Sequence, residues 1–99
     1  MNLSDNKGAI EDYTKAINFK PDYADAYNNR GISRKNLNDY KGAIEDYTRA
    51  IELNPSDSDF YYNRGNSRDD LNDNKGAIED YTKAIELKPD DADSGSAIM

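Results

Sequence analysis

Lys41-Gly-Ala-Ile-Glu-Asp-Tyr-Thr-Arg-Ala-Ile51 occurs three times in the chain, beginning at Lys7, Lys41 and Lys75. Both intervals are 34 residues, the first and third copies are identical, and the middle one differs only by Arg49 in place of Lys15 and Lys83. A fixed period of this length marks a repeat array. Within the middle copy Ala43, Ile44, Tyr47, Ala50, Ile51 and Leu53 fall on one stripe at helical spacing, so each copy is predicted to be an amphipathic helix. Asp5, Asp39 and Asp73 stand just ahead of the copies, where a carboxylate can accept a bond from a free N–H and suits the positive end of the helix dipole. Pro21, Pro55 and Pro89 follow the copies and forbid further turns.

Between the copies lies a second kind of helix, predicted over residues 24–37 and 58–71. Ala26, Tyr27, Arg30, Gly31, Arg34 and Leu37 share one stripe, as do Phe60, Tyr61, Arg64, Gly65, Arg68 and Leu71. Gly31 and Gly65 sit mid-helix, where glycine costs about 1 kcal/mol against alanine. Their recurrence predicts close approach of a neighbouring helix, near Ala43 and Ala77. Asp22 with Asp25, and Ser56 with Asp59, have the spacing of capping boxes. The repeated helices are expected over 6–20, from the Asn38-Asp39 turn onward, and from the Asn72-Asp73 turn to about Lys88. Leu3 matches Leu37 and Leu71, so residues 1–6 are expected to be the tail of a first-type helix whose remainder is missing.

Composition bounds the chemistry. The 99 residues suffice for one small domain, 35% of them hydrophobic and 33% charged. The strict apolar periodicity argues against disorder. With no cysteine and no histidine, disulfides and the usual nucleophile–base pairs are missing, and the chain is not expected to be an enzyme. Glu45-Asp46 and Glu79-Asp80 repeat with the helix and are expected on its solvated polar face. Neither Asp69-Asp70 nor Asp90, Asp91 and Asp93 has calcium-loop spacing, so no metal and no cofactor is expected. A net charge of −7 repels phosphate backbones, which argues against nucleic acid as a partner. No apolar run reaches the ~20 residues of a membrane helix, and the start lacks the apolar core of a signal peptide. Membrane partners are therefore not expected, and cytoplasmic residence is.

The pattern resembles the tetratricopeptide repeat family. Its signature W-x2-L-G-x2-Y, A-x3-F, P is met here by Tyr27-x2-Arg30-Gly31-x2-Arg34, Ala43-x3-Tyr47 and Pro55. One period on it is met by Tyr61-x2-Arg64-Gly65-x2-Arg68, Ala77-x3-Tyr81 and Pro89. Arg30 and Arg64 depart from the leucine, and Arg34 and Arg68 from the second aromatic; their stems can pack while the guanidinium reaches an edge or a carboxylate. The resemblance implies an all-α, right-handed solenoid of antiparallel helix hairpins, about two and a half units and five helices. The units divide into a partial repeat over 1–23, full repeats over 24–57 and 58–91, and a mobile tail over 92–99.

It also implies a protein-interaction module whose concave face, lined by the first helix of each unit, binds a peptide. Asp25, Asn28, Asn29, Ile32, Lys35 and Asn36 form that stripe in one unit, and Asp59, Tyr62, Asn63, Asn66, Asp69 and Asp70 in the next. Asn29 and Asn63 hold the place where the family often carries an asparagine bonded to a peptide backbone. An amide offers that unit both donor and acceptor. Two readings stay open for them, peptide ligands or plain surface asparagines. Tyr62 is the aromatic anchor candidate. Four aspartates against Lys35 depart from the basic grip that some members place on the acidic end of heat-shock chaperones.

The ends carry a second expectation. A repeat array closes with polar caps, and neither end has one in the sequence. At the first, Ala9, Ile10, Tyr13 and Ile17 are expected to be partly uncovered. At the second, where Ser94-Gly95-Ser96 interrupts the next helix, the same holds for Tyr81, Ala84, Ile85 and Leu87. Self-association, as a two-fold homo-oligomer or a structural building block, follows as the alternative function.

Overall fold

The computed structural model describes residues 3–88, which form five α-helices: α1 Leu3–Phe19, α2 Ala24–Asn36, α3 Tyr40–Leu53, α4 Ser58–Asp70 and α5 Asn74–Leu87. Consecutive helices pack in chain order, and α2 also touches α4. This is the helical repeat solenoid expected from the 34-residue period. The tail over 92–99, the cluster Asp90, Asp91 and Asp93, and Pro89 lie outside the described residues. Among the described residues no helix is long and apolar enough to cross a membrane.

The turns inside the hairpins depend on one asparagine each. Asn38 and Asn72 adopt φ of 66° and 65°, the left-handed region that asparagine tolerates and that ends a helix. Asp39 and Asp73 then cap α3 and α5, each accepting a 3.0 Å bond from the backbone N–H of Gly42 or Gly76. A Cβ on either glycine would run into that capping carboxylate. At the corresponding place in the first unit stands Ser4, which favours no left-handed turn. There the chain runs straight on: α1 begins at Leu3, and Asp5 lies in its first turn rather than before it. The expected leftover of a missing helix is therefore the start of α1 itself.

The two capping boxes do not form. Asp22 pairs with Lys20 at 3.3 Å, and α2 starts after Tyr23 without a side-chain cap. Ser56 donates to Asn54 Oδ1, while Asp57, one residue later, accepts the N–H of Asp59. In both turns the shorter, local partner wins over the three-residue reach.

The core runs along the seams between helices. Ala26, Ala43, Tyr47, Ala50, Phe60 and Ala77 are each at most 2% exposed. The mid-helix glycines are there for close approach, but the neighbour is a tyrosine ring rather than Ala43 or Ala77. A Cβ on Gly31 would stand 2.7 Å from Tyr47 Cε1, and one on Gly65 2.8 Å from Tyr81 Cε1. Ser33 and Ser67, absent from the predicted stripes, are buried on the same helix faces.

The largest departure from the sequence reading concerns Asp46 and Asp80. Expected on a solvated face, each is only 3% exposed. Arg30 donates to Asp46 from Nε at 2.9 Å and from Nη2 at 2.8 Å, a bidentate pair, and Arg34 adds a third bond at 3.1 Å. Arg64 and Arg68 hold Asp80 in the same way, at 2.9, 2.8 and 2.9 Å. The remaining Nη1 of Arg30 reaches Thr14 of α1, and that of Arg64 reaches Thr48 of α3. Each first-type arginine thus ties its own hairpin to the helix before it. Charged groups are tolerated in a seam only when paired and bonded in this way. The bond to Asp46 holds the Arg30 guanidinium above its usual range, outweighing the opposite pull of burial. Asp12, at the same place in α1, is exposed.

Candidate peptide-binding site

The expected concave stripe divides when placed on the helices. On α2, Asp25 is exposed, while Asn29 and Lys35 are half-buried. On α4, Asp59 and Tyr62 are exposed, and Asn63 and Asn66 half-buried. The two family-position asparagines are not equivalent. Asn63 donates from Nδ2 to Asn28 Oδ1 at 3.0 Å, stitching α4 to α2. The Asn29 side chain has no hydrogen-bond partner among the described residues. Asn36 reaches back to Asn6 at 3.1 Å, so this corner of α2 is tied to α1.

Among the described residues a concavity of about 580 Å3 lies between α4 and α5. Asp59, Tyr62 and Asn66 line it from α4, and Tyr81, Ala84 and Ile85 from α5. Asn29, Asp25 and Lys35 are on α2 and are not part of it. Residues that the sequence assigned to two separate roles therefore meet: Tyr62, the anchor candidate, faces Tyr81, with ring centroids 5.6 Å apart and planes tilted by 47°. The Tyr81 hydroxyl donates to Asn66 Oδ1 at 2.6 Å. Burial, then the nearby Asp69, Tyr62 and Asp70, push the Tyr81 phenol up, so it stays protonated and keeps donating. The result is an apolar floor with tyrosine hydroxyls and an amide at its rim and aspartates around it.

The end residues need correction at two places, Ala84, which is buried at 9% exposed, and Ile17. Ile17 is 8% exposed and belongs to the core. It stands one period before Ile51 and two before Ile85, at the position that the next first-type helix covers, and α2 covers it. Ile10 and Tyr13 are half-buried, as are Tyr81 and Leu87. Ile85 is 56% exposed and Ile78, which the sequence reading did not single out, 64%. Open apolar side chains among the described residues thus stand at both ends, Phe19 of α1 at 92% exposed and Ile78 and Ile85 of α5.

A tetratricopeptide repeat profile matches residues 24–57 and again 58–91, and a second profile described as a TPR repeat matches 2–38. The chain belongs to the tetratricopeptide repeat family. Among solved structures, the first TPR of Spaghetti (RPAP3) bound to HSP90 peptide SRMEEVD is 30% identical, with a TM-score of 0.85, over 87% of this chain and 68% of that one. The second TPR of the same protein, bound to the same peptide, is also 30% identical, with a TM-score of 0.82, over 84% of this chain and 77% of that one. MamA matches at 26% identity and a TM-score of 0.83 over 89% of this chain, which spans about half of MamA, 52%. A search of curated protein sequences gave no match.

Proposed function

We propose that this TPR chain is a protein-interaction module that binds a peptide segment across the face formed by α2 and α4. The observation that carries the reading is the exposed Tyr62 beside Asn66 on α4, in a chain 30% identical to two TPRs bound to a peptide. The units at work are those over 24–57 and 58–91, with Asn29, Asn63, Asp25, Asp59, Tyr62, Asn66 and Lys35 as the contact set. Recognition is by hydrogen bonds and apolar contact, with no cofactor. The acidic motif of SRMEEVD does not suit this face: Asp25, Asp59, Asp69 and Asp70 are all exposed, and like charge across an interface is repulsive. A neutral or basic segment fits better. Peptides selected against the full chain from a random library test this. Tyr62→Ala should weaken a selected peptide by roughly 1–2 kcal/mol as an anchor, and Asn29→Ala by roughly 1 kcal/mol as one hydrogen bond. Selected peptides that are acidic, or that ignore both substitutions, would remove the reading.

Self-association is the second reading, favoured by the exposure of Ile78 and Ile85 on α5. The net charge of −7 opposes it and is screened by salt. Sedimentation equilibrium at moderate salt decides: a dimer weakened by Ile85→Glu supports it, and a monomer at high protein concentration ends it.

A further inference from the structure

The groove between α4 and α5 has an occupied counterpart inside the same molecule. Shifted back by one 34-residue period, its walls are those of the seam between α2 and α3, and there α4 fills the place. Tyr81 corresponds to Tyr47, Ala84 to Ala50 and Ile85 to Ile51. Tyr47 and Ala50 are 0% exposed under α4, whereas Ala84 is 9% and Ile85 56% exposed. The molecule therefore displays what this kind of groove accepts.

The face α4 brings to it is Phe60, Arg64 and Ser67, spaced i, i+4, i+7 along one side of the helix. Phe60 and Ser67 are at most 1% exposed, and Arg64 reaches the Thr48 hydroxyl. The seam between α1 and α2 repeats the scheme with Ala26, Arg30 and Ser33, Arg30 reaching Thr14. The third threonine of the series, Thr82 on α5, is exposed. Asp69 and Asp70, which act on the Tyr81 phenol, are exposed beside it and favour a cationic visitor.

We propose that the α4–α5 groove is a docking site for a first-type helix supplied by another protein: an amphipathic helix with an apolar residue, an arginine four positions on, and a serine or other small residue three positions after that. This site shares Asp59, Tyr62 and Asn66 of α4 with the proposed peptide face and extends from them onto Tyr81, Ala84 and Ile85 of α5 rather than onto α2. Helix-in-groove recognition of this kind reads anchors one and two turns apart. The arginine meets Thr82, the small residue lies on the Tyr81 ring as Ser67 lies against Tyr47, and the apolar residue fills the space over Ala84 and Ile85. A folded second copy of this chain is a poor occupant, because its own two first-type helices already have this face buried against α1 and α3. The chain's own continuation does not carry the pattern in register: Ser94 stands where Phe60 does and Ile98 where Arg64 does.

A peptide with the sequence of Asp57–Asn72 of this chain is the probe, titrated into the isotopically labelled full chain and followed by amide chemical shifts. Saturable binding is expected, with the shifts centred on Tyr62, Tyr81, Thr82 and Ile85. Peptides carrying Phe60→Asp or Arg64→Glu should bind at least about tenfold more weakly, the loss of one anchor each. Ile85→Glu in the protein should do the same and, at an exposed site, leave the helical circular dichroism unchanged. No saturation, shifts centred on α1 or α2, or equal binding of the altered peptides would overturn the proposal. So would a free protein that is already a dimer through this groove, which would make the occupant a second copy.

Discussion

The hairpins α2–α3 and α4–α5 have nearly the same second helix and different surroundings. From Lys41 to Leu53 and from Lys75 to Leu87 the two sequences differ only at Arg49 and Lys83. In the first hairpin Tyr47 is sealed by α4, and burial pushes its phenol up against a smaller opposing pull from the Ser67 hydroxyl beside it. In the second, Tyr81 is half-buried, meets Tyr62 in a tilted ring contact and donates a hydrogen bond to Asn66. The same residue is a core side chain in one place and a wall of a groove in the other. What decides is whether a first-type helix lies on top, so the surroundings of a residue in this array are set by position along the stack as much as by sequence.

The comparison breaks or sharpens under substitution. The largest effect is expected at the tyrosines. Tyr47→Ala should cost about 3–5 kcal/mol, the range for a large aromatic lost from a packed core, and Tyr81→Ala about half as much because part of its site is already open. Urea unfolding of both variants measures this; equal losses would mean that cover does not matter.

The carboxylates predict the opposite outcome. Asp46 and Asp80 are equally buried, and the arginines around them are nearly equally exposed, 14% and 27% in one unit and 15% and 26% in the other. Asp46→Ala and Asp80→Ala should therefore cost similar amounts, about 3 kcal/mol each, since either leaves arginines short of their partner. A difference above about 1 kcal/mol would show that the outer network is weaker than its geometry.

The glycines give the smallest contrast. Alanine gains about 1 kcal/mol over glycine in a helix, and overpacking removes about 1–3 kcal/mol. The Tyr47 ring facing Gly31 is enclosed and cannot swing away, so Gly31→Ala should lower stability by about 1–2 kcal/mol. Tyr81 can yield, and Gly65→Ala should come out near neutral, limited by Asp80 Cβ, which the new methyl would meet at 3.2 Å. Thermal melts at one protein concentration check both.

These contrasts also explain which features were legible from residues alone. The period, the Pro punctuation and the Gly31 and Gly65 positions fixed five helices and their order, because each acts within one helix or one turn. Asp46 escaped since an apolar stripe counts charged residues as outward-facing. The usable signal was Arg30 and Arg34 at places normally apolar: two buried cations need a carboxylate, and Asp46 is the one their helix faces. Ser33 and Ser67 escaped for the same reason, small polar residues being silent in a hydrophobic pattern. The start of α1 turned on Ser4 in place of Asn38 and Asn72, a difference visible in sequence but decisive only through backbone φ. The site was half legible. Tyr62 and Asn66 were named, but their neighbours Tyr81 and Ile85 were assigned to a different role, because a groove between helices is a property of two helices and of whether a third lies on top of them, and none does among the described residues.

Amide hydrogen exchange on the free full chain tests the central claim, that the α5 face is an open copy of the seam α4 fills. The amides of Ala50 and Ile51 should be protected more strongly than those of Ala84 and Ile85, with opening free energies larger by at least about 1 kcal/mol, although the flanking sequences are almost the same. Equal protection at the two places would contradict the account and mean that something already covers α5.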